Sequence, residues 1–462
     1  MTQETGSSRS TGGAFVALLL AVLSFSLLQT LIVPALPALE HDLNADAGAA
    51  SWLISAFLVA SSVGTVVLGR LGDMFGRKRL LLVSLGILAL GSLLAALSGS
   101  LGVLIAARAV QGLGAGTFPL AFGLVRELFA RERVPVVIGT ISAVFGIGFG
   151  VGLVVPGPLI DAFGWPSLFW ASLILVAIAA AAVLAFIPAA HQANGGRIDW
   201  AGAGVLSVAL VALLLGISQA RTWGPLATVL LVILAVAAFV VFLLIERRAV
   251  APLMNLGVLA RRPVAAANLT ALVIGFGMYG AFTLVPQFVQ TPASAGYGFG
   301  ATVSESGLYL LPMAVTMLFA GPVAGRLGPR IGYTTTLVIA CLISAAGFGL
   351  LAAGRDVAWA IATGAGIIGI GIGFAFSVLA NVVVAAVEPH ETGEATGVNT
   401  IVRTIGGAIG AQVAAAIVTA RLLDGTPYPD PAGYPIAFAV SAAALVLAAL
   451  AALLGAPRKA AS

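Results

Sequence analysis

Charge is what this chain has least of. Of its 462 residues only 8% are Asp, Glu, Lys or Arg, while 60% are hydrophobic and the mean hydropathy is +1.12. A soluble domain carries about 25% charged residues, whereas a bilayer excludes charge and asks for runs of about 20 apolar residues. A soluble globular protein is therefore excluded, and the chain reads as a polytopic membrane protein. Cysteine is all but absent: Cys341 alone, inside an apolar run, excludes a disulfide and a CxxC pair. Histidine is nearly as scarce, and His41, His191 and His390 are scattered over loops. With no HExxH, no paired buried acids and no nucleophile constellation, neither an enzyme nor a metal site is expected. No G-x-x-x-x-G-K-[ST] phosphate loop is present, which excludes an ATP-driven pump.

Acids are missing from one place in particular. All seventeen Asp and Glu fall in tails, loops or span ends, with Asp161, Asp199 and Glu305 nearest the membrane. A lipophilic cation would find no counter-charge at mid-bilayer, so neutral or anionic partners facing Arg108 and Arg403 are expected instead. The formal charge of +5 comes from arginines in short hinges between apolar runs, not from one basic face, and nucleic acid is excluded as a partner. Only two lysines accompany abundant Ala, Gly and Arg, a composition that suggests a GC-rich bacterial genome and a bacterial cytoplasmic (inner) membrane.

What is present is a succession of fourteen apolar runs between Ala14 and Leu454. The polar N-terminus lacks a basic region followed by a cleavage site, so the first run is expected to be retained as a helix. Alternate loops and both termini collect seventeen of the Lys and Arg, against Arg221, Arg355 and Arg421 on the other side. Basic loops stay in the cytoplasm, so both termini are expected there. The expected organisation is a six-helix bundle over 1–190, two inserted helices over 191–250 and a second six-helix bundle over 251–462.

The halves are linked by a repeat. Gly69-Arg70-Leu71-Gly72-Asp73-Met74-Phe75-Gly76 returns as Gly325-Arg326-Leu327-Gly328-Pro329-Arg330-Ile331-Gly332, displaced by 256 residues. Each copy sits between two apolar runs, where duplicated membrane proteins repeat their joints. The glycines permit a tight turn and close helix approach, and Asp73 is placed to pair with Arg77 or to face the N-terminus of a helix in the other half. In the fourth run Arg108 and Gln111 share one helical face, where an arginine is costly unless it meets a polar interior. Gln29, Asn268, Tyr279, Gln287, Asn381, Asn399 and Gln412 are further polar groups in apolar runs, which need partners inside the bundle.

The first repeat closely resembles the motif between helices two and three of the major facilitator superfamily. Arg108-Ala109-Val110-Gln111-Gly112-Leu113-Gly114 is similar to that family's RxxQGxG phrase. Leu31 to Pro37, Arg197 to Gly202, Glu246 with Pro252-Leu253 and Arg261-Arg262, and Asn399 to Gly407 resemble its fourteen-helix drug:proton antiporter branch. The resemblance implies an all-helical membrane fold of two pseudo-symmetric six-helix bundles plus two inserted helices. It implies a secondary transporter that exports small lipophilic compounds from the lipid bilayer, driven by a proton gradient and without a cofactor, and a monomer is expected. A lipid or metabolite transporter without tight proton coupling is the alternative. Gating would fall to Gly69, Asp73, Gly76, Arg77, Gly325 and Gly332. Substrate or coupling contacts would come from Arg108, Gln111, Gln29, Asn268, Tyr279, Gln287, Glu305, Asn381 and Arg403.

Two departures stand out. The branch usually carries an aspartate in the first helix, and the matching position here is Leu28, beside Gln29. Its fifth-helix motif GxxxGPxxGG survives only as Gly148, Gly152 and Gly157, with Leu153 in place of proline and Pro156 displaced, so a glycine groove with a different kink is expected.

Overall fold

The computed structural model describes residues 4–454 apart from 44, 46, 189–198, 250–255, 389–390, 424–425 and 427. Its helices are α1 (Glu4–Thr30), α2 (Leu36–Asp42), α3 (Ala47–Phe75), α4 (Arg77–Ala96), α5 (Leu101–Leu113), α6 (Thr117–Leu128), α7 (Val134–Val154), α8 (Pro156–Phe163) and α9 (Pro166–Phe186). They continue as α10 (Trp200–Ser218), α11 (Ala220–Glu246), α12 (Leu256–Leu259), α13 (Arg262–Gln290), α14 (Val303–Ile331), α15 (Tyr333–Gly354), α16 (Ala358–Ala386), α17 (Thr392–Val418) and α18 (Gly433–Leu454). Among the described residues thirteen helices are long and apolar enough to cross a membrane, and a shorter apolar helix occupies Ala201–Ile217. Helix is the only option open to such segments, because each backbone group must find its partner within the segment.

The helix ends have local causes. Ser100 caps α5 through Val103 N–H, Asp199 caps α10 through Gly202 N–H, and Thr302 with Glu305 forms a reciprocal capping box on α14. Proline opens α9 and α13, where its missing N–H is no loss. Two runs that read as continuous are broken: Gly114-Ala115-Gly116 separates α5 from α6, and Val155 separates α7 from α8, with Pro156 as the first residue of the new helix.

The closing glycine of the repeat has a conformational reason. Gly76 (φ 99°) and Gly332 (φ 92°) stand immediately before α4 and α15, in backbone conformations that residues with a Cβ avoid. Gly76→Ala is expected to destabilise the protein by about 1–3 kcal/mol through strain alone, since no atom lies within 4 Å of the added methyl. Gly86→Ala, inside α4 and equally uncrowded, is expected to be neutral or slightly stabilising. Thermal unfolding of the detergent-purified variants checks the contrast, and equal melting temperatures would refute it.

The chain packs as two compact units. The first comprises Met1–Val134, Pro158–Leu259 and Val387–Ile401, and the second Pro135–Gly157, Ala260–Ala386 and Val402–Ser462. Each holds one copy of the repeat against the start of another helix. In the first unit a Cβ on Gly69 would lie 3.0 Å from the Gly393 carbonyl oxygen, and one on Gly397 would lie 3.4 Å from that of Thr65. In the second, a Cβ on Gly325 would lie 2.5 Å from the Pro135 carbonyl oxygen, and one on Gly139 would lie 2.4 Å from that of Gly321. Residues 65 and 69 correspond to 321 and 325 under the same displacement, so the duplication extends to the packing. The pair α10 and α11 belongs to the first unit, where Gln219 donates to Ser55 Oγ at 3.3 Å and Trp223 packs on Trp52 of α3.

Candidate functional site

At one end of the first unit the repeat builds a charged joint. Asp73, in the last turn of α3, accepts from Arg77 Nε at 3.0 Å and Nη2 at 2.6 Å. Its carboxylate also accepts from the backbone N–H groups of Gly393 at 3.3 Å and Glu394 at 3.1 Å. Both partners that the sequence offers Asp73 are thus engaged together. The first N–H groups of a helix have no partner within it, and the helix dipole favours an anion there, so Asp73 serves as an external cap for α17. Gly393 is what lets the carboxylate approach: a Cβ there would lie 2.9 Å from both Asp73 oxygens. Arg77 continues to Glu127 at 2.5 Å and to the Gly123 carbonyl at 3.3 Å, passing where any side chain on Gly123 would collide with it. Two further arginines hold the same segment. Arg70 pairs with Glu394 at 3.2 Å, and Arg126 donates to the Val387 carbonyl at 2.8 Å and to Thr392 Oγ1 at 2.9 Å. The sequence marks Arg70 as part of the repeat and Arg126 as one of the basic loop residues, and gives no partner for either among Gly393 and Glu394. The available signal was a close-approach glycine beside an acid at the head of an apolar run.

Arg108 forms the second centre of this unit. It is fully buried, 0% exposed, and does not snorkel to a surface. Its Nε donates to the Leu53 carbonyl at 3.1 Å, and its Nη1 donates to the Leu28 carbonyl and to Gln111 Oε1, both at 2.8 Å. The guanidinium lies 4.2 Å from the Phe57 ring centroid. Leu28 is in the last turn of α1, so Arg108 supplies both a donor and a positive charge to a helix C-terminus. Gln111 passes the network on to Ser92 Oγ at 3.1 Å, through space that Gly91 leaves open. Leu28 itself is 0% exposed. An aspartate there would be buried and closed to an incoming cation.

In the second unit Arg403 lies near the middle of α17, half-buried, with its Cζ 4.2 Å from the Phe376 centroid and 5.7 Å from that of Phe145. Tyr279 packs over Gly407, one turn along α17. Asn381 is buried and binds the carbonyls of Ser377 at 2.8 Å and Pro135 at 3.2 Å, which makes it a tie between α16 and α7. Gln29, Asn268 and Gln287 are half-buried on α1 and α13. Glu305 is exposed, and its carboxylate accepts from the Thr302 N–H at 2.8 Å. On α7 the groove facing α14 is cut by Gly139, Gly146 and Gly150, whose Cβ atoms would collide with Gly321, Met317 and Ala314. Gly148 and Gly152, the glycines in the family's frame, fall on a different face of α7, Pro156 is buried at the start of α8 and Gly157 is half-buried. His191, Arg197, Ile198, Pro252, Leu253, His390, Arg458 and Lys459 lie outside the described residues. Among the described residues no group of three or more His, Cys, Asp or Glu could hold a metal ion.

Residues 18–411 match the family model described as Major Facilitator Superfamily. An uncharacterized MFS-type transporter of Mycobacterium tuberculosis is 34% identical over 326 residues, covering 69% of this chain and 46% of that protein. The tetracenomycin C resistance and export protein of Streptomyces glaucescens is 32% identical over 338 residues, 72% of this chain and 61% of its own length. Multidrug resistance protein 3 of Bacillus subtilis is 27% identical over 402 residues, 86% of this chain and 77% of its own. The chain thus spans about half to three fifths of the length of the first two relatives. The crystal structure of the human organic anion transporter MFSD10 superposes with a TM-score of 0.68 at 18% identity, covering 96% of this chain and 99% of that one. At that identity the likeness concerns the fold alone.

Proposed function

Because the chain belongs to the major facilitator superfamily, we propose that it exports small amphipathic compounds, antibiotics or drugs among them, by exchanging them for protons through alternating access. It is a multi-pass membrane protein and a transporter, not an enzyme. The export reading is supported by relatives named for multidrug resistance and antibiotic export. Among the described residues, thirteen candidate spans and a shorter apolar helix that would complete a fourteenth support placing it in the fourteen-helix branch, and the basic loops support an inner-membrane location with both termini in the cytoplasm. The observation that carries alternating access is the Asp73 joint: an anion caps the orphan N–H groups of α17, an attachment that can be made in one arrangement and released in another.

One observation favours the rival reading, a carrier without tight proton coupling. Arg108, whose Nη1 meets the Leu28 carbonyl where the branch usually carries a first-helix acid, bonds two carbonyls and an amide, and among the described residues no carboxylate pairs with it. Under the export reading a peripheral acid, Asp73 during gating or a carboxyl on the substrate moves the proton. Efflux from proteoliposomes with and without an imposed pH gradient separates the two. Acceleration of at least several-fold by the gradient is expected, with a neutral amphiphile carried better than a quaternary ammonium dye of the same shape. Gradient-independent efflux would favour the uncoupled carrier, and efficient gradient-driven extrusion of the quaternary dye would overturn the substrate preference.

A further inference from the structure

We propose that Arg403 is the anion-recognising residue of this transporter, and that its preferred cargo is an aromatic amphiphile bearing one carboxylate. The inference rests on the export reading and gives it a substrate class.

Arg108 and Arg403 lie near the middle of their helices, and their surroundings differ in kind. Arg108 is sealed, and three protein acceptors take hydrogen bonds from its Nε and Nη1, while among the described residues its buried Nη2 has none. Arg403 keeps part of its surface accessible, and among the described residues no hydrogen bond or ion pair reaches its guanidinium. An arginine at the centre of a spanning helix costs about 2.5–3.5 kcal/mol on insertion scales. The two rings beside it, Phe376 and Phe145, are both buried, at 3% and 4% exposure, and their faces offset part of that cost, about 0.5–2 kcal/mol for a cation–π contact. Rings stabilise the charge of a guanidinium but accept few of its hydrogen bonds. Its five N–H donors point outward in its own plane as a rigid fork, and a carboxylate is the anion whose two oxygens match that fork.

The neighbourhood supplies no competing anion. Tyr279, the titratable group whose field reaches Arg403, is a phenol held over Gly407. Among the described residues no carboxylate contacts Arg403, so a ligand carboxylate would be its first ionic partner. Around it α7 and α16 present Phe145 and Phe376 together with glycine, which suits a flat apolar body behind the charged head. A cationic ligand would meet like charge here.

The test uses the full chain in nanodiscs and two fluorescent probes of one shape, dansylglycine and its neutral amide. Wild type is expected to bind the carboxylate at least tenfold more tightly than the amide. Arg403→Gln should erase that ratio by weakening the carboxylate at least tenfold while moving the amide less than twofold. Arg403→Lys keeps the charge without the planar fork and should fall between, which also guards against a glutamine variant that fails to fold. Phe376→Leu, which keeps the charge but removes one ring, should weaken the carboxylate more than the amide. A carboxylate-to-amide ratio near one in wild type, or one unchanged by Arg403→Gln, would overturn the inference while leaving export of the amide intact in proteoliposomes. Absence of both binding and gradient-driven efflux for either probe would instead overturn the export reading on which it rests.

Discussion

Arg108→Ala is expected to abolish transport, with efflux below a tenth of the wild-type rate, while the protein still inserts in the membrane. Insertion should not suffer, because removing the arginine relieves about 2.5–3.5 kcal/mol of insertion cost. Folding within the membrane is another matter. The side chain joins the C-terminal turn of α1, the backbone of α3 and Gln111 of α5. Its loss strands acceptors in a buried site at about 1–3 kcal/mol each and opens a cavity beside Phe57. Arg108→Lys should rescue poorly, because an ammonium is a point charge that cannot span two carbonyls and an amide as the fork does. Neutral and anionic cargo should be lost together, in contrast to Arg403→Gln, which should separate them. Efflux measured beside membrane quantity and melting temperature makes the check, and an unaltered rate would remove Arg108 from the machinery.

The second large effect concerns Asp73→Asn. Turnover is expected to fall at least tenfold with membrane abundance nearly unchanged. Asparagine can still accept one hydrogen bond at the head of α17, so the helix keeps a cap. What it loses is charge: the ion pair with Arg77, buried on both sides, and the interaction with the α17 dipole. Removing one member of a buried pair costs about 3–5 kcal/mol when the other is left alone, but Arg77 retains Glu127 and the Gly123 carbonyl. A weakening of about 1–3 kcal/mol is the reasonable scale, enough to shift a two-state equilibrium by about five- to 150-fold. Glu394→Gln should reproduce a milder form, because Arg70 is more exposed than Arg77. Wild-type turnover in a well-inserted Asp73→Asn protein would show that the joint is structural packing and no switch.

Much of the fold could be read from the chain because the bilayer leaves so few choices: a long apolar run must be a helix, and a basic glycine phrase must be a joint. The repeat's terminal glycine was equally legible, since only glycine tolerates the backbone at 76 and 332. The interruptions were not. Gly114 to Gly116 and Val155 lie in runs whose hydropathy gives no sign of a break, and helix geometry there depends on what packs nearby. The site was legible by residue type and illegible by partner. Arg108 announced itself as a buried cation, yet two of its three acceptors are backbone carbonyls, which have no sequence signature. Asp73 announced a charge contact, but its N–H donors lie 320 residues away in Gly393 and 321 away in Glu394. Arg403 stood out beside Arg108 as a cation facing anionic partners, but the adjacent rings of Phe145 and Phe376 that flank it have no sequence signature.

The two copies of the repeat differ in charge at two positions, Asp73 against Pro329 and Met74 against Arg330, and the first has a consequence for the resting molecule. Where the first copy carries Asp73 the second carries Pro329, and the helix that meets the second copy begins Val134-Pro135, with a proline that has no N–H to offer. A duplicated gene would begin with two interchangeable hinges and no preferred posture. Under the proposed alternating access, an ionic clasp at Asp73 with no acid at the matching Pro329 would make the two postures differ in energy before cargo or gradient arrives, giving the chain a default. Because the Asp73–Arg77 pair is buried, raising the ionic strength should reach that default mainly through the more exposed Arg70–Glu394 pair and weaken it only slightly.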